Sequence, residues 1–286
     1  MRKMQKPLRN TIVSRSAWTA ADLQSDQSWM HALSNDEPLE ANLLSRICAE
    51  LREGGRGLFL LRGLSLEGGD RERTASSCVG LAKQLGRLLP QNLEGDLIRW
   101  VEDQDKYAAN ECESKGHRGR AAMLPHCDSA DVACLFCVRP AKLGGATTVA
   151  SAGAIFNRIA EHYPEHLKAL HAGFYFDLTG KSPEGVSERR CPVFESRQDG
   201  VSCRFNKSRI EAGMKHRGIA LSDAEEAALE CINALALRPD LAFRLILAPG
   251  DALFFANRRV LHAREAFEDW PETQRKRLLL RVWIEM

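Results

Sequence analysis

LPHCDSADVACLFCVRPAKLGGATTVAS, residues 124–151, is the stretch from which the architecture can be read. Val132–Val138 is a short apolar run of strand length, Gly144-Gly145 supplies a turn, and Thr147-Thr148-Val149 opens a second strand. Just ahead of the first strand stands His126-Cys127-Asp128. On an extended segment, residues i and i+2 point to the same face, so His126 and Asp128 can hold one ion together while Cys127 points away. A further ligand must then arrive from another part of the chain.

That part is read at GDALFFANRRVLHAREAFED, residues 250–269, where His262 follows the strand candidate Leu253-Phe254-Phe255. His-x-Asp with a distant His is the ligand set of a facial-triad iron site, which binds a divalent metal on one side and leaves the other open. Arg277 lies fifteen residues beyond His262, and Arg281 lies four further on, on the same face of a closing strand. Thr147 places a hydroxyl directly after the Gly144-Gly145 turn.

Working outward, apolar residues at Leu39, Leu43, Leu44, Ile47, Cys48 and Leu51 mark a helix stopped by Gly54-Gly55. Strands are expected at 57–61, 97–101, 173–178, 201–205, 242–247, 252–255 and 278–284. Helices are expected at 71–86, 152–161 and 164–171, and after the capping box Ser222-Asp223-Ala224-Glu225. Strands dominate the ligand-bearing parts, and helices dominate the first third and the insertions. The expected fold is α+β with a mainly β core: a double-stranded β-helix or jelly-roll (cupin-like) barrel with flanking helices. One catalytic domain over 1–286 is expected, with a helical N-terminal part over 1–55. The polar, aperiodic stretch 103–123 is a candidate lid.

The chain has 286 residues, 44% of them hydrophobic and 27% charged, enough for a large core. A formal net charge of +2 gives no footprint for nucleic acid or an acidic membrane. The basic start MRKMQKPLRN is followed by no apolar stretch, and no run approaches the ~18 residues of a membrane span. A soluble cytoplasmic protein is expected, and a homo-oligomer is left open. The nine cysteines form no disulfide framework. Cys134-Leu135-Phe136-Cys137 lies on a strand, where its two thiols point to opposite faces, so it reads as structural rather than redox or zinc-binding.

The segments 124–151, 250–269 and RKRLLLRVWI (275–284) resemble the TauD/TfdA family of iron(II)- and 2-oxoglutarate-dependent dioxygenases, which includes the γ-butyrobetaine hydroxylase-like branch. Weaker likeness runs through GLFLLRGL (57–64), LGRLLPQN (85–92) and VSCRFNKSRI (201–210), whereas 109–123 departs from the family pattern. The resemblance implies that His126, Asp128 and His262 bind Fe(II). It implies that Arg277 pairs with the distal carboxylate of 2-oxoglutarate, that Thr147 hydrogen-bonds the same group, and that Arg281 helps hold the cosubstrate or an anionic substrate. A planar guanidinium suits a carboxylate because it binds bidentately and stays charged.

The implied activity is O₂-dependent oxidation, by default hydroxylation, of an unactivated C–H bond in a small molecule such as an amino acid or carboxylate metabolite. It is coupled to decarboxylation of 2-oxoglutarate to succinate and CO₂. Halogenation is not expected, because related halogenases lack the carboxylate ligand that Asp128 supplies. Two alternatives stay open: the same chemistry on a peptide or protein, and a non-catalytic barrel that senses 2-oxoglutarate or a metal.

Overall fold

A computed structural model of the chain describes residues 11–34, 39–66, 70–103, 119–180, 182–197 and 200–286. Eight strands build the core: β1 (Leu58–Arg62), β2 (Met123–His126), β3 (Val132–Arg139), β4 (Thr147–Ser151), β5 (Ala242–Leu245), β6 (Ala252–Ala256), β7 (Val260–Arg264) and β8 (Leu278–Glu285). They form two facing sheets. The major sheet runs β1-β6-β3-β8 and the minor sheet β5-β4-β7-β2. All the pairings within these two orders are antiparallel. This is the double-stranded β-helix that the strand pattern predicts.

Shorter strands extend the major sheet. Met30–Ala32 pairs in parallel with β1, while Ile98–Val101 and Arg87–Leu89 share the outer edge of β8. The region expected as helical over 1–55 therefore also contributes a strand, beside the helices Ala20–Ser25 and Ala41–Leu51. Of the candidate lid at 103–123, residues 104–118 lie outside the described residues.

Alternation along the major sheet sorts its side chains into two layers. Val132, Cys134, Phe136, Phe254, Leu280 and Ile284 face outward onto the helices Ala41–Leu51 and Arg71–Leu85. Ala133, Cys137, Leu253, Phe255, Leu279 and Trp283 face the barrel interior. Cys134 and Cys137 thus lie in opposite layers, and burial raises both thiol pKa values, that of Cys137 to about 12. They are neutral packing groups.

The insertion between β4 and β5 carries a third core around Phe156, Phe174, Phe194 and Phe205. Its helices include Ala152–His162 and Asp223–Leu235, the latter opened by the Ser222/Glu225 capping box. Two elements here differ from expectation. The stretch 173–178 forms only single bridges at Phe174 and Asp177, because Arg209 carbonyl accepts from Asp177 N–H and helix Lys207–His216 packs against it. That helix was not anticipated from its sparse apolar positions, although Asn206 caps it by accepting from Arg209 N–H at 3.1 Å. Among the described residues, no helix is long and apolar enough to cross a membrane.

Candidate metal centre

His126 ends β2 and His262 is the middle residue of β7, and the two are directly opposite in the antiparallel pair. Cross-strand partners project to one face, so strand register alone brings the rings to a centroid distance of 4.1 Å. Asp128 completes the cluster, with one ligand atom from each residue lying within 4.8 Å of the others. The three residues singled out in the sequence come together here, and Cys127 turns away, its thiol 3.9 Å from the Val260 carbonyl.

The imidazoles suit a cation. His126 Nδ1 lies 2.9 Å from the Leu124 carbonyl oxygen. A carbonyl only accepts, so Nδ1 carries the proton and Nε2 presents its lone pair. His262 packs on Phe255 at 4.3 Å, and its buried Nδ1 has no partner among the described residues. Burial lowers the pKa of both rings from 6.5, that of His262 further because His126 adjoins it. Both are held neutral near pH 7, the state a metal requires.

Asp128 is placed differently. It lies beyond β2, and its backbone N–H donates to Asn257 Oδ1 at 3.0 Å. Its carboxylate accepts from Arg281 Nη1 at 3.0 Å and from Trp283 Nε1 at 3.0 Å. Gln91 in turn accepts from Arg281 Nε at 2.9 Å and donates to the Arg281 carbonyl at 2.9 Å. Arg281, which the resemblance assigns to the cosubstrate or an anionic substrate, has its guanidinium engaged with Asp128. Trp283, within the apolar run of the last strand, is a donor to that carboxylate. The signal was present, since 279, 281 and 283 alternate onto one face of β8.

Arg277 and Thr147 line the same inner cavity as the two histidines, together with Val101, Leu135 and Leu279. Arg277 is 5% exposed, and its Nη1 is buried with no partner among the described residues. Burial lowers its pKa to about 10, which leaves it charged near neutrality. A buried cation with an orphaned donor fits an anionic ligand, and the Thr147 hydroxyl on the same cavity supplies a second polar group. Gly145 makes this approach work. Its φ is +71°, and a Cβ there would sit 3.2 Å from Phe267 Cβ and 3.6 Å from Arg277 Nε. Arg264, which sequence reasoning passed over, also lines the cavity and donates to the Gly119 carbonyl at 2.9 Å and to the Ala121 carbonyl. It ties the approach to β2 onto β7.

Two neutral imidazoles clustered with a carboxylate, and a buried guanidinium on the cavity those imidazoles line, therefore fit a divalent metal and an acid that chelates it. Other polar side chains of neighbouring turns do not join them. Asn92 and Asp96 cap their own turn, and Asp251 accepts from Ala248 N–H within a turn.

The family model described as taurine catabolism dioxygenase TauD, TfdA family matches residues 28–283. FR-33289 synthase of Streptomyces rubellomurinus (strain ATCC 31215) is 29% identical over 99% of this chain and 93% of its own length. Uridine-5'-phosphate dioxygenase of a Streptomyces species is 34% identical over 51% of this chain and 53% of its own. Among solved structures, asparagine oxygenase in complex with Fe(II), 2S,3S-3-hydroxyasparagine and succinate superposes with a TM-score of 0.69. It is 19% identical and covers 86% of this chain and 80% of its own, a likeness of fold.

Proposed function

The chain belongs to the TauD/TfdA family of iron(II)- and 2-oxoglutarate-dependent dioxygenases, and on that premise we propose that it hydroxylates an unactivated C–H bond of a small molecule, an amino acid or carboxylate metabolite, as one catalytic domain in the cytoplasm. The observation that carries this reading is the clustering of His126, Asp128 and His262, with both histidines lining the cavity that holds the buried Arg277 donor that has no partner among the described residues. Bound there, iron(II) and 2-oxoglutarate supply with O₂ the oxidant for the C–H bond and leave succinate and CO₂.

The chain's own residues do the rest. His126 and His262 offer neutral nitrogens, one of them fixed in tautomer by the Leu124 carbonyl. Asp128 offers a carboxylate steadied by Arg281 and Trp283, so its direction is set before a metal arrives. Arg277 and Thr147 take the distal carboxylate of 2-oxoglutarate, with the Arg277 charge replacing the solvation that carboxylate loses. Val101, Leu135 and Leu279 wall this end of the site with apolar surface and exclude water from it. The Asp128 carboxylate in the ligand set directs the outcome to oxygen insertion rather than halide transfer.

The test is an aerobic screen of amino acids and carboxylates with iron(II), ascorbate and 2-oxoglutarate. The expected result is a product heavier by one oxygen atom, formed in step with succinate by the wild-type chain and absent with Asp128→Ala. A product from a peptide library alone would move the substrate to proteins, and a chlorinated product in chloride buffer would contradict oxygen insertion.

A further inference from the structure

The metal centre lies between the two sheets, with its histidines on the minor sheet and Arg281 and Trp283 reaching Asp128 from the inner face of the major sheet. On the outer face lies a second cavity of about 760 Å³, against about 40 Å³ at the metal centre. Its apolar floor is Leu51, Val132, Ala256 and Met286, all members of the helix-facing layer, whereas the metal cavity is lined by Val101, Leu135 and Leu279 from the inner side. Val132 and Leu135 stand an odd number of positions apart on β3, which puts their side chains on opposite faces. The two cavities share no lining residue.

The walls of the outer cavity are basic. Seven arginines face three carboxylates there, in a chain whose 40 basic and 38 acidic residues otherwise nearly balance. Three of these arginines are engaged: Arg190 with Glu225 at 3.1 Å, Arg197 with Glu195 at 2.9 Å, and Arg259 with the Leu51 and Arg52 carbonyls. The other four, Arg52, Arg189, Arg204 and Arg258, form no ion pair among the described residues. Like charges gathered in a concavity repel, and low-dielectric walls focus their field on whatever enters.

All four are also held in place through their backbones, Arg52 by its N–H donating to the Cys48 carbonyl. Arg204 N–H donates to the Val193 carbonyl, the Arg258 carbonyl accepts from Cys203 N–H, and the Arg189 carbonyl accepts from Ser187 Oγ. Arg204 is half-buried with its guanidinium over Phe176 and its nearest polar partner the Cys191 thiol at 3.5 Å. Burial, with Arg258 nearby, lowers its pKa, and Cys191 and Glu195 offset this only in part, so keeping it charged costs free energy.

The geometry points to this cavity as a binding site for a small, multiply charged anion bearing phosphoryl or carboxylate groups, separate from the metal centre. The volume falls in the range of small-molecule sites, and fork-shaped guanidiniums on several walls match oxygens presented in several directions. Glu53, Asp131 and Glu195 on the same walls restrict the ligand to one whose anionic groups meet the arginines and not them.

The test is isothermal titration of fructose 1,6-bisphosphate, and separately of propane-1,2,3-tricarboxylate, into the iron(II)-loaded chain. Oxygen is excluded and 2-oxoglutarate is saturating, so that Arg277 is already occupied. One additional binding event is expected, weakened roughly 100-fold in the Arg189→Gln/Arg258→Gln double variant, since each lost charge-assisted contact is worth about 1.5–3 kcal/mol. Both replaced side chains are exposed, and unchanged 2-oxoglutarate binding in the variant reports an intact fold. Tighter binding of the bisphosphate assigns the ligand to phosphorylated molecules, and the reverse assigns it to polycarboxylates. No heat from either probe, heat that survives the double substitution, or binding of poly-glutamate alone would overturn the proposal.

Discussion

His126 and His262 face each other across the β2–β7 pair, whereas Asp128 lies beyond the end of β2, where Arg281, Trp283 and Asn257 hold it. The histidines owe their positions to ladder register, which cannot slip by one residue without turning the slipped strand's side chains to the opposite face. Asp128 owes its position to side chains from two other strand regions, each of which can be removed singly. One half of the centre is therefore as rigid as the fold, and the other half is as rigid as its hydrogen bonds.

The largest effects should come from the ligands themselves. His126→Ala, His262→Ala and Asp128→Ala should each reduce iron-dependent succinate formation to background while leaving the circular dichroism spectrum unchanged. A ligand variant that retained activity would remove its residue from the centre. Next comes the cosubstrate end. Arg277→Ala should raise the 2-oxoglutarate concentration needed for half-maximal rate by roughly 10–100-fold, the worth of a lost charge-assisted contact of about 1.5–3 kcal/mol.

The tethers separate the two halves most directly. Trp283→Phe and Gln91→Leu should weaken iron binding by about 10–100-fold, as loss of an outer-shell partner does at other metal sites. Iron titrations followed by competition with a chelator would measure this. Equal affinity in Trp283→Phe would show that Asp128 does not need its tether. Thr147→Val should cost less, about 1 kcal/mol or roughly fivefold in 2-oxoglutarate affinity.

A last, smaller effect concerns pH. Both histidines have pKa values lowered in the fold from 6.5, so the unfolded chain binds more protons than the native one as pH falls through that value. Their contribution to stability is present above 6.5 and lost below it. Urea midpoints of the metal-free protein should fall between pH 7.5 and pH 5.5, and less so in His262→Gln; an equal fall in the variant would dissociate the effect from these rings.

Much of this was legible in residues 124–151 and 250–284. Alternation put His126 and Asp128 on one side, and the Gly144-Gly145 turn announced Thr147 as the start of β4. β7 itself was not legible as a strand. All five of its residues, Val260 to Arg264, are buried, because one face packs on the core and the other carries the polar groups of the site. A functional strand buried on both faces loses the apolar–polar period that marks a strand in sequence. Trp283 was hidden for a related reason. An indole in an apolar run reads as packing, and only the third dimension shows its N–H reaching a carboxylate. Asn257, between two buried strands, carries no periodic signal at all.

The central claim is that the register-set histidines and the tethered aspartate form one iron centre that consumes 2-oxoglutarate. Its most direct test is succinate released by purified protein with iron(II), ascorbate, 2-oxoglutarate and O₂, without added substrate, in wild type and Asp128→Ala side by side. The account predicts slow succinate formation that depends on iron and is abolished by the substitution. Succinate formed at equal rates by both proteins would contradict it.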